Sequence, residues 1–123
     1  MDTASKTLGV FGEELALREL TERGYKPLLR NYTCDLGEID IIAKHQGALV
    51  FIEVKSRRSD VMGAPEEAVT LRKRGQIVKT ARYYMKRYGV RNVPCRFDVV
   101  SVLAPDRGET EIRVIQNAFN EDE

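Results

Sequence analysis

Three charged residues stand where charge is costly. Asp40 interrupts the run EIDIIA, and Glu53 and Lys55 interrupt LVFIEVKS. Strand residues alternate faces, so Leu49, Phe51, Glu53 and Lys55 share one side and Val50, Ile52 and Val54 the other. Glu53 and Lys55 then project together, roughly 6–7 Å apart along the strand. Asp40 is expected to point opposite to Ile39 and Ile41. If the two runs pair as a hairpin, Asp40 lies beside Glu53. Two adjacent carboxylates repel, and a divalent cation relieves that repulsion. Mg²⁺ needs few protein carboxylates, keeps several waters and leaves room for a phosphate oxygen. Two acids and a lysine therefore suit metal-assisted phosphodiester hydrolysis, with the lysine steadying the nucleophile or the developing charge. A solvated ion-pair network would give the same alternation. Phe51 and Ile42 on the same faces as the charges argue against it.

The elements that must position these residues are legible. GVFGEELALRELTERGYKP has helical spacing at Phe11, Leu15 and Leu20, with Gly24 and Pro27 as the stop. PLLRNYTC is a short extended segment, and Asp35 and Gly37 signal a turn. EIDIIAK and ALVFIEVKS form a hairpin across HQG, which makes His45 a turn residue. SDVMGAP is a loop. A second helix runs from Glu66 to about Tyr88, with Val69, Ile77, Ala81, Tyr84 and Tyr88 on its core stripe. CRFDVVSVLA and TEIRVIQNAF are two more strands. The order is helix, three strands, helix, two strands, which predicts one mixed α/β sheet with helices on its faces.

The chain of 123 residues suits one domain, with a core over about residues 8–117 and a frayed acidic end. Its apolar fraction of 42% excludes a disordered polymer. No run approaches the roughly 18 apolar residues of a membrane span. The opening MDTASKTLGV lacks a secretory pattern, and Cys34 and Cys95 lack metal spacing. We expect a cytoplasmic protein with reduced thiols. A single histidine disfavours zinc or histidine-based catalysis.

Net charge is only +1, but it is polarised. Residues 66–91 hold eight cations against Glu66 and Glu67, and residues from Asp106 on hold six acids against two arginines. Arg72, Gln76, Lys79, Tyr83 and Lys86 fall near one helical stripe, a surface suited to phosphates. Lys73 sits nearer the core stripe and leans towards the acids. Arg57 and Arg58 flank the motif strand. Asp98 reads as a buried structural acid paired with Arg96 or a helix arginine.

Asp40 followed by IEVK resembles the PD-(D/E)xK nuclease signature, without its leading proline. The wider set GEELA, RNYTCDLGEIDIIA, FIEVKSR and RFDVVSV is similar to the YraN family. That bacterial family is mostly uncharacterised and regarded as endonucleases related to archaeal Holliday junction resolvases. The resemblance runs from about Gly9 to Val102. It implies a restriction-endonuclease-like fold, a mixed central sheet flanked by helices. It implies a Mg²⁺- or Mn²⁺-dependent endonuclease acting on branched or structured DNA, and a homodimer. Asp40, Glu53, Glu13 and the Val54 carbonyl would hold metal, with Lys55 as the motif lysine. Glu14 faces about 100° away from Glu13 round the helix and competes for that role. Glu38 suits an outer-shell partner. Arg57, Arg58, Arg72, Lys73, Gln76 and Lys79 are the expected nucleic-acid contacts. Nothing in the residues separates DNA from RNA. The rival reading is an accessory nucleic-acid-binding module with little or no catalysis.

Overall fold

The computed structural model describes residues 3–59 and 69–121. The elements, in chain order, are α1 (Thr3–Glu22), β1 (Lys26–Cys34), β2 (Gly37–His45), β3 (Ala48–Arg57), α2 (Leu71–Arg87), β4 (Cys95–Leu103) and β5 (Glu111–Phe119). The strands form one five-stranded sheet in the order β1-β2-β3-β4-β5. Every neighbouring pair is antiparallel except β3 and β4, which run parallel. A parallel pair needs a crossover, and α2 supplies it. This mixed α/β architecture is compatible with the restriction-endonuclease-like fold. Among the described residues, no helix is long and apolar enough to cross a membrane.

Alternation along β3 divides the core between two faces. Leu49 and Phe51 join Ile42, Phe97 and Val99 beneath Ile77, Ala81 and Tyr84 of α2. Val50 and Ile52 join Ala43, Val100 and Val102 beneath Ala16 and Leu20 of α1. The central strands read as apolar runs because both of their faces are covered.

Several expectations need correction. The first helix begins at Thr3, ahead of the predicted start. Phe11 is 48% exposed, because α1 approaches the sheet through Ala16 and Leu20 and turns Phe11 outward. The second helix starts at Leu71, where the Thr70 side chain accepts a hydrogen bond from the Lys73 amide, a standard N-cap arrangement. Glu66, Glu67 and most of the predicted SDVMGAP loop lie outside the described residues, as do the last two residues of the tail. Val69 is buried but precedes the helix. Tyr88 caps α2 and is 60% exposed, so it is not a core residue.

His45 is the last residue of β2, and it is buried. The hairpin turn is Gln46-Gly47, with φ of 49° and 80° at the two positions, as a tight hairpin turn requires. His45 stacks on Tyr25 with ring centroids 3.9 Å apart. Arg96 Nη2 lies 2.7 Å from His45 Nδ1. Arginine only donates, so Nδ1 accepts and the ring proton sits on Nε2. Asp98, fully buried, accepts from Arg96 Nε and Nη2 and from the Tyr25 hydroxyl at 2.6–2.9 Å, and from the Asn117 amide. Burial and this bond push the Tyr25 hydroxyl up to about 12. Asp98 is thus the structural acid that the sequence suggests.

Candidate active site

The hairpin register runs from His45↔Ala48 to Ile41↔Ile52. One step further would set Asp40 opposite Glu53. There the ladder gives way to a side chain, and Asp40 Oδ2 accepts the Val54 amide hydrogen at 2.8 Å. Strict alternation also fails at this point. Ile39 packs in the core under α2, whereas Ile41 packs in the core under α1. Asp40 therefore stands at a local twist of β2, between the surroundings of Glu53 and those of Glu13.

Glu53 is 6% exposed. Its Oε2 lies 3.8 Å from Lys55 Nζ and 3.9 Å from Lys73 Nζ. These are charge contacts too long for good hydrogen bonds. Burial, and then the neighbouring Asp40, push the Glu53 carboxyl up to about 7, with the two lysines pulling the other way. Lys73 thus reaches the acids from α2, as its place near the core stripe suggests.

Glu13 faces a cleft of about 330 Å³ that is also lined by Asp40, Val54, Lys55 and Ser56. Its Oε1 is buried without a hydrogen-bond partner. Burial raises its carboxyl above the usual range, and Asp40, Glu38 and Glu14 add to the rise against Arg30. Glu14 turns to solvent and pairs with Arg30 at 2.7 Å, so Glu13 is the helix acid that reaches the cleft. Gly12 makes the approach feasible. A β-carbon there would sit 1.8 Å from Ser56 Oγ and 2.9 Å from Ser56 Cβ, so any other residue would require Ser56 or the helix to shift. Gly12, Ser56 and the Val54 amide are parts of the site that sequence reasoning missed. Only the small residue beside Glu13 hinted at the close packing.

The remaining predicted residues are spread more widely. Arg72, Gln76 and Lys79 are exposed on α2. Arg58 is exposed and bound to Asp106 at 2.6 Å. Arg57 is half-buried at the end of β3, opposite Leu103. Glu38 is exposed on β2.

Among the described residues, no three acidic, histidine or cysteine side chains are drawn together as a ready cation cage. The donor set nevertheless fits a hard cation. It offers hard carboxylate oxygens, one of them orphaned and two on acids whose pKa is raised. Mg²⁺ needs only one or two protein carboxylates beside its waters.

The model of "Uncharacterised protein family UPF0102" matches residues 12–102, a span that contains Gly12, Glu13, Asp40, Glu53 and Lys55. The chain belongs to that family. Among curated UPF0102 proteins, one from Lachnoclostridium phytofermentans is 47% identical over 116 residues, 94% of each chain. One from Symbiobacterium thermophilum is 45% identical over 116 residues, covering 94% of this chain and 98% of its own. One from Caldicellulosiruptor saccharolyticus is 44% identical over 115 residues, covering 93% and 98%. The UPF0102 match and the acidic cleft thus fall on the same stretch of chain.

Proposed function

We propose that this UPF0102 chain is a Mg²⁺- or Mn²⁺-dependent endonuclease that hydrolyses phosphodiester bonds in branched or otherwise structured DNA. The observation that carries the reading is Asp40 set between two acids with raised pKa, Glu13 and Glu53, with Lys55 at the same cleft. Asp40, Glu53, Glu13 and the Val54 carbonyl would hold the cation. A divalent cation bound there would supply Lewis-acid stabilisation of the phosphate and help to make water a nucleophile. Lys55 donates hydrogen bonds to the attacking water and to the phosphate oxygen on which charge develops. The Asp40 bond to Val54 holds β3 so that Glu53 and Lys55 keep their mutual position. Lys73 partly offsets the charge of Glu53, and Arg72, Gln76 and Lys79 offer polar and cationic contacts to the nucleic-acid backbone. Arg57 ends β3 and Arg58 follows it, and Arg58 must leave Asp106 to reach a phosphate. A homodimer, which would cut two strands symmetrically, and a cytoplasmic location belong to this reading by analogy alone.

One observation favours a second reading. Lys55 Nζ and Lys73 Nζ lie 3.8 and 3.9 Å from Glu53 Oε2, so two cations face this carboxylate. A nucleic-acid-binding module without catalysis would use the acids in that way. Calorimetric titration with Mn²⁺ separates the two. The nuclease reading expects saturable binding in the wild type that is lost in Asp40→Asn and Glu53→Gln variants with native circular dichroism. Equal binding in all three, or none in the wild type, would count against it.

A further inference from the structure

The turn between β1 and β2 faces α2 across a trough. It consists of two adjoining cavities of about 520 and 370 Å³ that share Asp35, Leu36 and Gln76. Gly37 sets its base. A β-carbon there would meet Gln76 Cγ and Thr80 Oγ1 at 3.0 Å, and its φ of +151° favours glycine. One cavity reaches Lys73, whose Nζ is 3.9 Å from Glu53, so a single side chain links the trough to that acid. The other extends to Lys79.

The two walls differ in charge. The helix side carries Arg72, Lys73 and Lys79, and the turn side carries Asp35 and Glu38. Among the described residues, Arg72, Lys79, Asp35 and Glu38 have no ion-pair partner. Two large aliphatic side chains also line the trough in the open, Leu36 at 46% and Leu71 at 69% exposure.

A duplex presents phosphates along both of its edges, and one edge laid here would meet Asp35 and Glu38. A single strand presents phosphates on one side and apolar base faces on the other. Cations on one wall with exposed apolar side chains beside them suit the second shape. We propose that the trough takes an unpaired strand, with phosphates against Arg72 and Lys79 and bases against Leu36 and Leu71. The substrate is then a nucleic acid with a single-stranded arm next to the scissile bond. This rests on the nuclease reading above and narrows it.

The test is fluorescence anisotropy in EDTA, where nothing is cut. The full chain is titrated with a blunt DNA duplex and with the same duplex bearing an unpaired arm of about ten nucleotides, within the span such grooves hold. The armed duplex should bind roughly tenfold tighter. Leu36→Ser with Leu71→Ser should remove most of that preference and leave blunt-duplex affinity unchanged. Both side chains are exposed, so the fold should survive. Asp35→Lys should strengthen blunt-duplex binding and so narrow the gap. Equal affinity for the two DNAs, or an equal loss for both in the serine variant, overturns the proposal. If the protein also cuts blunt duplex with metal, the nuclease reading survives that result. Failure to bind either DNA overturns the trough, and cleavage with metal then decides the nuclease reading separately.

Discussion

Asp40 Oδ2 accepts the main-chain hydrogen of Val54 at 2.8 Å, so a carboxylate does the pairing that the strand ladder does elsewhere. This bond ties the acid of β2 to the strand that carries Glu53 and Lys55. It leaves Asp40 close enough to raise both Glu13 and Glu53. The acids are held near one another by the fold and repel there. That combination is what a cation would relieve.

The first prediction concerns pH. Glu53 has an ordinary value of 4.5 and a native value near 7. Between those values the native state binds more protons than the unfolded chain, so stability falls as pH rises through that window. Metal-free protein should lose about 1–3 kcal/mol between pH 5 and pH 8 on this account. Urea unfolding in EDTA at the two pH values checks it. Glu53→Gln should flatten the dependence, and Mg²⁺ should recover stability at pH 8. A pH dependence unchanged in Glu53→Gln would contradict the assignment.

A second prediction tests the approach of α1. Gly12→Ala places a β-carbon 1.8 Å from Ser56 Oγ and forces Ser56 or the helix to shift. The expected cost is about 1–3 kcal/mol. Ser56→Gly in the same chain should recover part of it, because it removes the atoms that collide. Denaturant midpoints of the two variants decide the matter. No recovery would mean that the strain lies elsewhere.

A third addresses the buried network around Asp98, whose strand neighbour in register is Ile52. Asp98→Ala leaves Arg96 and the Tyr25 hydroxyl without their buried acceptor. Removing one member of such a network should cost about 3–5 kcal/mol. Metal binding by the remaining folded protein should be unchanged, because the network shares no residue with the acidic cleft. A loss below 1 kcal/mol in urea unfolding would show the network to be dispensable.

The cations of α2 should act through phosphate. Arg72→Ala with Lys79→Ala should weaken DNA binding uniformly across sequences. It should also lower the slope of log affinity against log salt by roughly one to two. Anisotropy over a salt series measures this. An unchanged slope would remove the helix from the interface.

Much of this architecture was legible because its signals are local. The period-two pattern of LVFIEVKS predicts the shared face of Phe51, Glu53 and Lys55, and the break at HQG predicts the hairpin. Departures arise where distant residues intervene. Ile39 and Ile41 fall on different faces because the Asp40 side chain replaces a ladder bond to Val54. His45 looks like a turn residue until Tyr25 and Arg96, far away in sequence, close over it. Phe11 and Tyr88 fit helical stripes, yet the tight packing of Ala16 and the end of α2 leave them outside. The choice between Glu13 and Glu14 needed the position of Arg30.

The central claim is metal-dependent hydrolysis at the cleft lined by Glu13, Asp40 and Lys55, with Glu53 buried beside Lys55. The most direct measurement is cleavage of linear duplex, single strand, flap, four-way junction and structured RNA with Mg²⁺ or Mn²⁺. Wild type and Lys55→Ala are run side by side, and circular dichroism confirms that both are folded. The account predicts cutting of at least one DNA substrate that requires metal and falls at least a hundredfold in the folded Lys55→Ala variant. No cutting of any substrate by wild type that binds DNA, or equal cutting by the two proteins, would contradict it.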